Sequence, residues 1–189
     1  MVIYYRLMGS ATTDDNGVAS YTYTGHGSGE MDFIASTSNP FDESSLVSGT
    51  FVVYDTLYHD EMQSDTTNNY TKTGCTLTFD TDKFVLTRIE GAEAVVNLNL
   101  QGDNVNQYLG KDVVFEFEIV DTDAGIVPRI MQNRNGSWES IYGTTKSSGV
   151  ASLQGTIKSD TTRIFFRVSG NNLAVGQSCS FKNFRIYLI

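Results

Sequence analysis

The chain is thin in the residues that carry most enzymatic and metal chemistry, with 2 His, 2 Cys and 1 Trp among 189 residues. His26 and His59 stand far apart, and neither keeps metal-ligand spacing with a partner. In Gly25-His26-Gly27-Ser28-Gly29 the histidine occupies the position where a nucleophile elbow around Ser28 needs glycine. No Gly-rich phosphate loop opens a helix. Only 2 Pro are present, and no long run of helix formers keeps the 3.6-residue spacing, so helices beyond a turn or two are excluded. No apolar run approaches the length of a membrane span, which argues against membrane insertion. Positive charge is short as well: Lys+Arg number 13 against 22 Asp+Glu, a net charge of −9. With a pI near 4.5, nucleic acid and anionic membranes are poor partners. Cys75 shares parity with Leu77 and Phe79 and reads as a buried thiol; a disulfide to Cys179 is the other reading. Residues 1–8 are apolar but broken by Arg6, with no small-residue cleavage site after them, so they do not read as an export leader.

What the chain does have is strands and turns. Gly 17 and 12% aromatics, with abundant Thr, Ser and Asn, suit a β-rich protein. Residues 2–7, 18–24 and 31–36 read as short strands, with an Asn16-Gly17 hairpin turn that tolerates positive φ. Residues 39–48, holding Asn39-Pro40 and Ser44-Ser45, form the linker candidate. A second domain, 49–189, opens with a strand at 50–58. Further strands are expected at 75–79, 83–89, 94–100, 113–120, 126–133, 137–142, 151–157, 161–168 and 180–189. Residues 105–109 allow one helical turn. Many short alternating strands joined by acid- and Gly-rich turns predict an all-β, antiparallel β-sandwich or barrel. On the penultimate strand Thr162, Ile164, Phe166 and Val168 face the core, opposite Arg163, Phe165 and Arg167. On the last one Phe184, Ile186 and Leu188 share a face while Phe181 is off parity, which predicts a bulge near Lys182-Asn183.

The closing run Phe181-Lys182-Asn183-Phe184-Arg185-Ile186-Tyr187 resembles the last strand of the galactose-binding-like jelly rolls of carbohydrate-binding modules. The passage from Tyr54 to Asp65, followed by Asn69-Tyr70-Thr71, is similar to the opening of secreted glycan-binding sandwiches of the same kind. Earlier, Thr13-Asp14-Asp15-Asn16-Gly17-Val18-Ala19 resembles the end of a bacterial immunoglobulin-like domain of the invasin and adhesin type. Residues 1–38 then read as a partial immunoglobulin-like segment or an assembly arm. These resemblances imply a jelly-roll sandwich at 49–189 whose wet sheet face holds sugar. A structural calcium is common among the modules, but its Asp position is Lys182 here, which cannot ligate the ion, so no cofactor is assigned. The turns Asp121-Thr122-Asp123 and Asp80-Thr81-Asp82 offer oxygens to a hard cation, or are turn formers only.

Residues opposite in parity to the core supply the candidate ligand-binding set. They are Asn97, Asn99, Glu116, Glu118, Arg129, Asn133, Arg163, Phe165 and Arg167. Trp138 and Tyr142 join them as aromatic platforms, since rings stack on apolar sugar faces while amides and guanidiniums reach hydroxyls. The plainer alternatives are a solvated face of cross-strand Glu–Arg pairs and a Trp138 that plugs one end of the core. Glu116-Phe117-Glu118-Ile119-Val120-Asp121 is similar to the catalytic strand of laminarinase-type retaining glycoside hydrolases, whose paired carboxylates share a sheet face. The middle acid is Glu rather than Asp and the last Asp rather than Glu, so no catalytic residue is assigned. The expected function is non-catalytic recognition of a cell-surface or cell-wall glycan, in a phage tail or fibre protein or a microbial adhesin. That places the protein outside cells, on a cell surface or on a virion. A virion assembly subunit using residues 1–38 as an arm, homo-oligomeric or with other subunits, is the alternative, and the glycosidase is the second.

Overall fold

The computed structural model describes residues 29–36, 46–53 and 56–189, with side chains described from Thr56 onward. The chain divides into two compact units, Met1–Val53 and Tyr54–Ile189. In the first, β1 (Gly29–Ser36) and β2 (Leu46–Val53) form an antiparallel pair running from Gly29 opposite Val53 to Ser36 opposite Leu46. Residues 50–53, expected to open the sandwich, thus belong to this pair, as does the last part of the expected linker. The strands at 2–7 and 18–24, the Asn16-Gly17 turn, the immunoglobulin-like likeness and linker residues 39–45 lie outside the described residues.

The second unit contains β3 (Thr56–Asp60), β4 (Tyr70–Thr73), β5 (Cys75–Asp80), β6 (Lys83–Arg88), β7 (Val95–Gln101) and β8 (Asp112–Thr122). It continues with β9 (Val127–Arg134), β10 (Ser137–Tyr142), β11 (Gly149–Thr156), β12 (Thr161–Ser169) and β13 (Ser178–Leu188). They build two antiparallel sheets, a five-stranded one ordered β10-β9-β12-β7-β4 and a six-stranded one ordered β11-β8-β13-β6-β5, with β3 also on β13. Neighbours distant in sequence, such as β12 between β7 and β9, make this a jelly-roll sandwich.

Each sheet turns one parity inward, as alternation requires when one face is buried. Ile130, Leu98, Val96, Ile164, Phe166 and Val168 line the inner face of the five-stranded sheet, and Phe84, Leu86, Phe115, Phe117, Phe181, Phe184 and Ile186 that of the other. Burying each such side chain contributes about 1.5–3 kcal/mol. The rings interlock at angles, with Phe115–Phe184 centroids 4.8 Å apart and Tyr70–Phe84 edge-to-face at 5.4 Å. The expected helical turn is a 3-10 segment, Gly102–Tyr108, which drops Val105 and Tyr108 into the core. Both cysteines are buried free thiols. Burial pushes the Cys179 thiol up to about 12.

Two departures from simple alternation have local causes. At β13 the register slips between Lys182 and Arg185, and Asn183 sits at φ 53, which restores Phe184 to the core face that Phe181 already occupies. On β12 a slip between Thr161 and Arg163 buries Thr161 and exposes Thr162, so Thr162 is not a core residue. The short β4 shows little alternation because only Tyr70 is buried there. Tyr70 donates its hydroxyl to Asp60 Oδ2 at 2.9 Å, Thr66 Oγ1 donates to the same oxygen at 2.6 Å, and the Met62 amide reaches Asp60 Oδ1 at 2.9 Å. The buried carboxylate thereby ties the β3 end to β4 with its oxygens satisfied.

Candidate functional site

The outward parity of the five-stranded sheet carries one connected set of side chains. Register places Arg167 on β12 directly opposite Asn97 on β7 and Arg129 on β9, while Phe165 lies opposite Asn99 and Met131. On β10, Trp138 faces Asn133, Ser140 faces Met131 and Tyr142 faces Arg129. Asn97, Asn99, Arg129, Asn133, Trp138, Tyr142, Arg163, Phe165 and Arg167 therefore share one face. Topology brought them together: β9, β12 and β7 are far apart in the chain.

Aromatic rings form the platform. Trp138 stacks on Phe165 with centroids 4.9 Å apart and planes at 20°. It lies on the outer face and is 42% exposed, so it does not plug the core, and Tyr142 is 62% exposed. Guanidiniums cover the same rings. The Arg163 Cζ is 4.8 Å and the Arg167 Cζ 5.9 Å from the Phe165 centroid, and the Arg129 Cζ is 4.4 Å from that of Tyr142. Amides orient the arginines: Arg163 Nε donates to Asn99 Oδ1 at 2.9 Å and Arg167 Nε to Asn97 Oδ1 at 2.6 Å. Arg129 Nη2 donates to Ser140 Oγ at 2.8 Å, while its Nε is shielded and lacks an acceptor. Arg167 is only 6% exposed. Burial pulls its guanidinium below the usual arginine range, Glu93 opposes that shift, and the neighbouring Arg129 adds to it. Glu93 Oε1 accepts from Arg167 Nη1 at 3.4 Å.

Glu116 and Glu118 do not belong to this set. They point outward from β8, in the six-stranded sheet on the far side of the core. Glu116 meets Arg185 at 2.8 Å and accepts from the Tyr187 hydroxyl at 3.1 Å. Glu118 accepts from Asn183 Nδ2 at 2.9 Å and lies 3.9 Å from Lys182. Both carboxylates are engaged in cross-strand pairs with β13, so the groove expected to join Glu116 with Arg129 and Arg163 is not formed. Parity separates the two faces of one sheet and says nothing of which sheet a strand joins.

Asp80 of the 80–82 turn and Asp121 and Asp123 of the 121–123 turn help line a depression of about 230 Å³, beside Val85 of β6 and Ser180 of β13. Asp80 pairs with Lys83 at 3.4 Å, and Asp123 accepts from the Ser178 amide at 2.7 Å. Among the described residues no group of three or more His, Cys, Asp or Glu side chains could hold a metal ion.

Sequence reasoning missed Ser140, Met131 and Glu93. Ser140 and Met131 lie between two chosen residues at period two, a signal already in the sequence. Glu93 precedes β7 in a loop where no periodicity points to it.

The fold is a jelly-roll sandwich with a polar and aromatic outer face on one sheet, similar in fold to carbohydrate-binding modules of solved structure. No family model matches the chain, and no curated protein matches it. Solved structures match its fold. The C-terminal family 22 carbohydrate binding module of Clostridium thermocellum Xyn10B superposes with a TM-score of 0.53 at 13% identity, over 69% of this chain and 91% of that one. The CBM22-1 xylan-binding domain of Paenibacillus barcinonensis Xyn10C gives 0.53 at 13%, over 72% and 96%. The enzymatically active domain of bacteriophage CBA120 tailspike protein 4 gives 0.51 at 17%, over 69% of this chain but 21% of that one. At these identities the likeness is one of fold.

Proposed function

We propose that the sandwich is a non-catalytic glycan-recognition module whose binding face is the outer surface of β10-β9-β12-β7. One observation carries this reading: the Trp138–Phe165 stack is flanked on that face by oriented arginines and amides. Rings of that kind offer apolar platforms to the C–H faces of sugars, and the amides and guanidiniums beside them match ring hydroxyls. The likeness in fold to a xylan-binding domain supports the same reading. A hydrolytic role gains nothing from the geometry, because Glu116 and Glu118 pair with β13 away from the rings. The setting we propose is a surface protein of the tail, fibre or adhesin kind, displayed on a cell or virion, for which the likeness to a tailspike domain is the support.

A glycan array followed by affinity gel electrophoresis tests the proposal. Trp138→Ala and Arg163→Ala should each weaken retention on the polysaccharide bound by the wild type, whereas Glu116→Gln should not. Absence of binding to every glycan tried, at protein concentrations up to the millimolar range, would overturn it.

A further inference from the structure

Resting on that reading of the face, we infer that its ligand is an acidic polysaccharide, one whose sugars carry carboxylate or sulfate groups. The inference starts from an oddity of charge. The chain as a whole is strongly acidic, at −9. Yet the outer face of the five-stranded sheet gathers Arg129, Arg163 and Arg167, and Glu93, at its margin, pairs with Arg167 alone. Neither Arg129 nor Arg163 has an ion-pair partner among the described residues.

Their placement goes against ordinary sheet chemistry. Arg129 and Arg167 stand directly opposite one another on β9 and β12. Like charges so placed repel, and Glu93 offsets this from the Arg167 side only. Arg167 is moreover buried, and its neighbour Arg129 works against its charge. Stability alone does not account for the arrangement, since a Thr or Gln opposite Arg167 would relieve the repulsion. An anion arriving between the two does account for it.

The donors are ready as well. Each guanidinium has five N–H donors in a planar fork suited to carboxylate and sulfate. Arg163 uses only its Nε within the sandwich, leaving the fork free above Phe165. Arg129 commits its Nη2 to Ser140 Oγ, and its Nη1 has no acceptor among the described residues. Arg163 and Arg167, four residues apart on one strand, both bring their guanidiniums over Phe165, 4.8 and 5.9 Å from its ring centroid. With Arg129 they present several positive groups along the face, which suits a chain of charged sugars rather than one isolated ion. The stacked rings between them supply the apolar contact that a sugar polymer needs.

The test uses the full chain with polygalacturonate (carboxylate only), dextran sulfate (sulfate only), neutral xylan and glucomannan, and poly(dT) as a non-sugar polyanion. Affinity gel electrophoresis and calorimetry are read at low and at physiological salt. Binding to polygalacturonate or dextran sulfate that exceeds binding to the neutral polymers, and that weakens as salt rises, supports the inference. Arg163→Gln and Arg129→Gln should each weaken that binding roughly tenfold, with Arg163→Lys losing less, while thermal unfolding confirms that the variants remain folded. Xylan or glucomannan bound more tightly than both acidic polymers, without salt dependence, overturns the acidic ligand and leaves the glycan module standing. Equal affinity for poly(dT) overturns it too, by showing an unselective cationic face. No binding to any of the four polysaccharides overturns both readings together.

Discussion

Replacing Glu93 with Gln should move stability and ligand affinity in opposite directions. The carboxylate lies 3.4 Å from Arg167 Nη1, and at an effective dielectric of 20 the gross attraction at that distance is roughly 5 kcal/mol. The Glu93 side chain is 44% exposed, so solvent screening and side-chain ordering cut its net worth to about 1 kcal/mol. After the substitution the buried Arg167 retains Asn97 as an acceptor but faces Arg129 with no counter-charge. Thermal unfolding followed by circular dichroism should show a midpoint lowered by roughly 2–4 °C. The same change removes the negative charge at the edge of the arginine cluster, so polygalacturonate or dextran sulfate should bind about two- to fivefold more tightly at low salt, with less gain at physiological salt. A variant as stable as the wild type would show that Glu93 does not offset the arginine repulsion. Unchanged or weaker binding of both acidic polymers would refute the link between the cluster and its ligand.

Other expectations rest on different parts of the molecule. Phe165→Ala should weaken glycan binding about five- to thirtyfold, since it removes the ring on which Trp138, Arg163 and Arg167 converge; calorimetry that finds an unchanged affinity excludes this platform. Gln132 is a buried polar residue whose Oε1 accepts from the Lys158 amide and Thr161 Oγ1, both at 2.9 Å. Gln132→Ala strands both donors and should lower the unfolding free energy in urea by about 2–4 kcal/mol. Burial pushes the Tyr108 hydroxyl from 10.0 up to about 12 and the Cys179 thiol from 9.0 up to about 12. The unfolded chain releases these protons first, so the folded state binds more of them in that window. The stability they contribute is complete below pH about 9 and is lost as pH rises toward about 12, by about 1.4 kcal/mol per pH unit for each group. Tyr108→Phe should flatten the decline between pH 10 and 12, and a slope identical to the wild type would contradict the assignment.

Much of the fold is written locally. The alternation of Ile164, Phe166 and Val168 with Arg163, Phe165 and Arg167 separates a dry face from a wet one, because a half-buried strand has period two whatever its neighbours. The same rule exposed the break between Phe181 and Phe184, and the bulge with Asn183 at positive φ is the backbone's way of burying both rings. Stretches with weak patterns were harder to read. Residues 50–53 pair with β1 rather than opening the sandwich, β4 buries a single side chain, and the Thr161–Arg163 slip reverses which threonine is inside.

The binding face divides along the same line. From sequence alone it follows that Asn97, Arg129, Arg163 and Glu116 all point away from a core, since each alternates with buried apolar residues. Which of the two outer surfaces each one reaches depends on strand order, and strand order is set by pairings between segments distant in the chain. Only the tertiary structure places β12 between β9 and β7, setting Arg167 against Arg129, and assigns β8 to the opposite sheet, where Glu116 meets Arg185. Alternation is a property of one strand, whereas a site that reads charge and shape is a property of its neighbours.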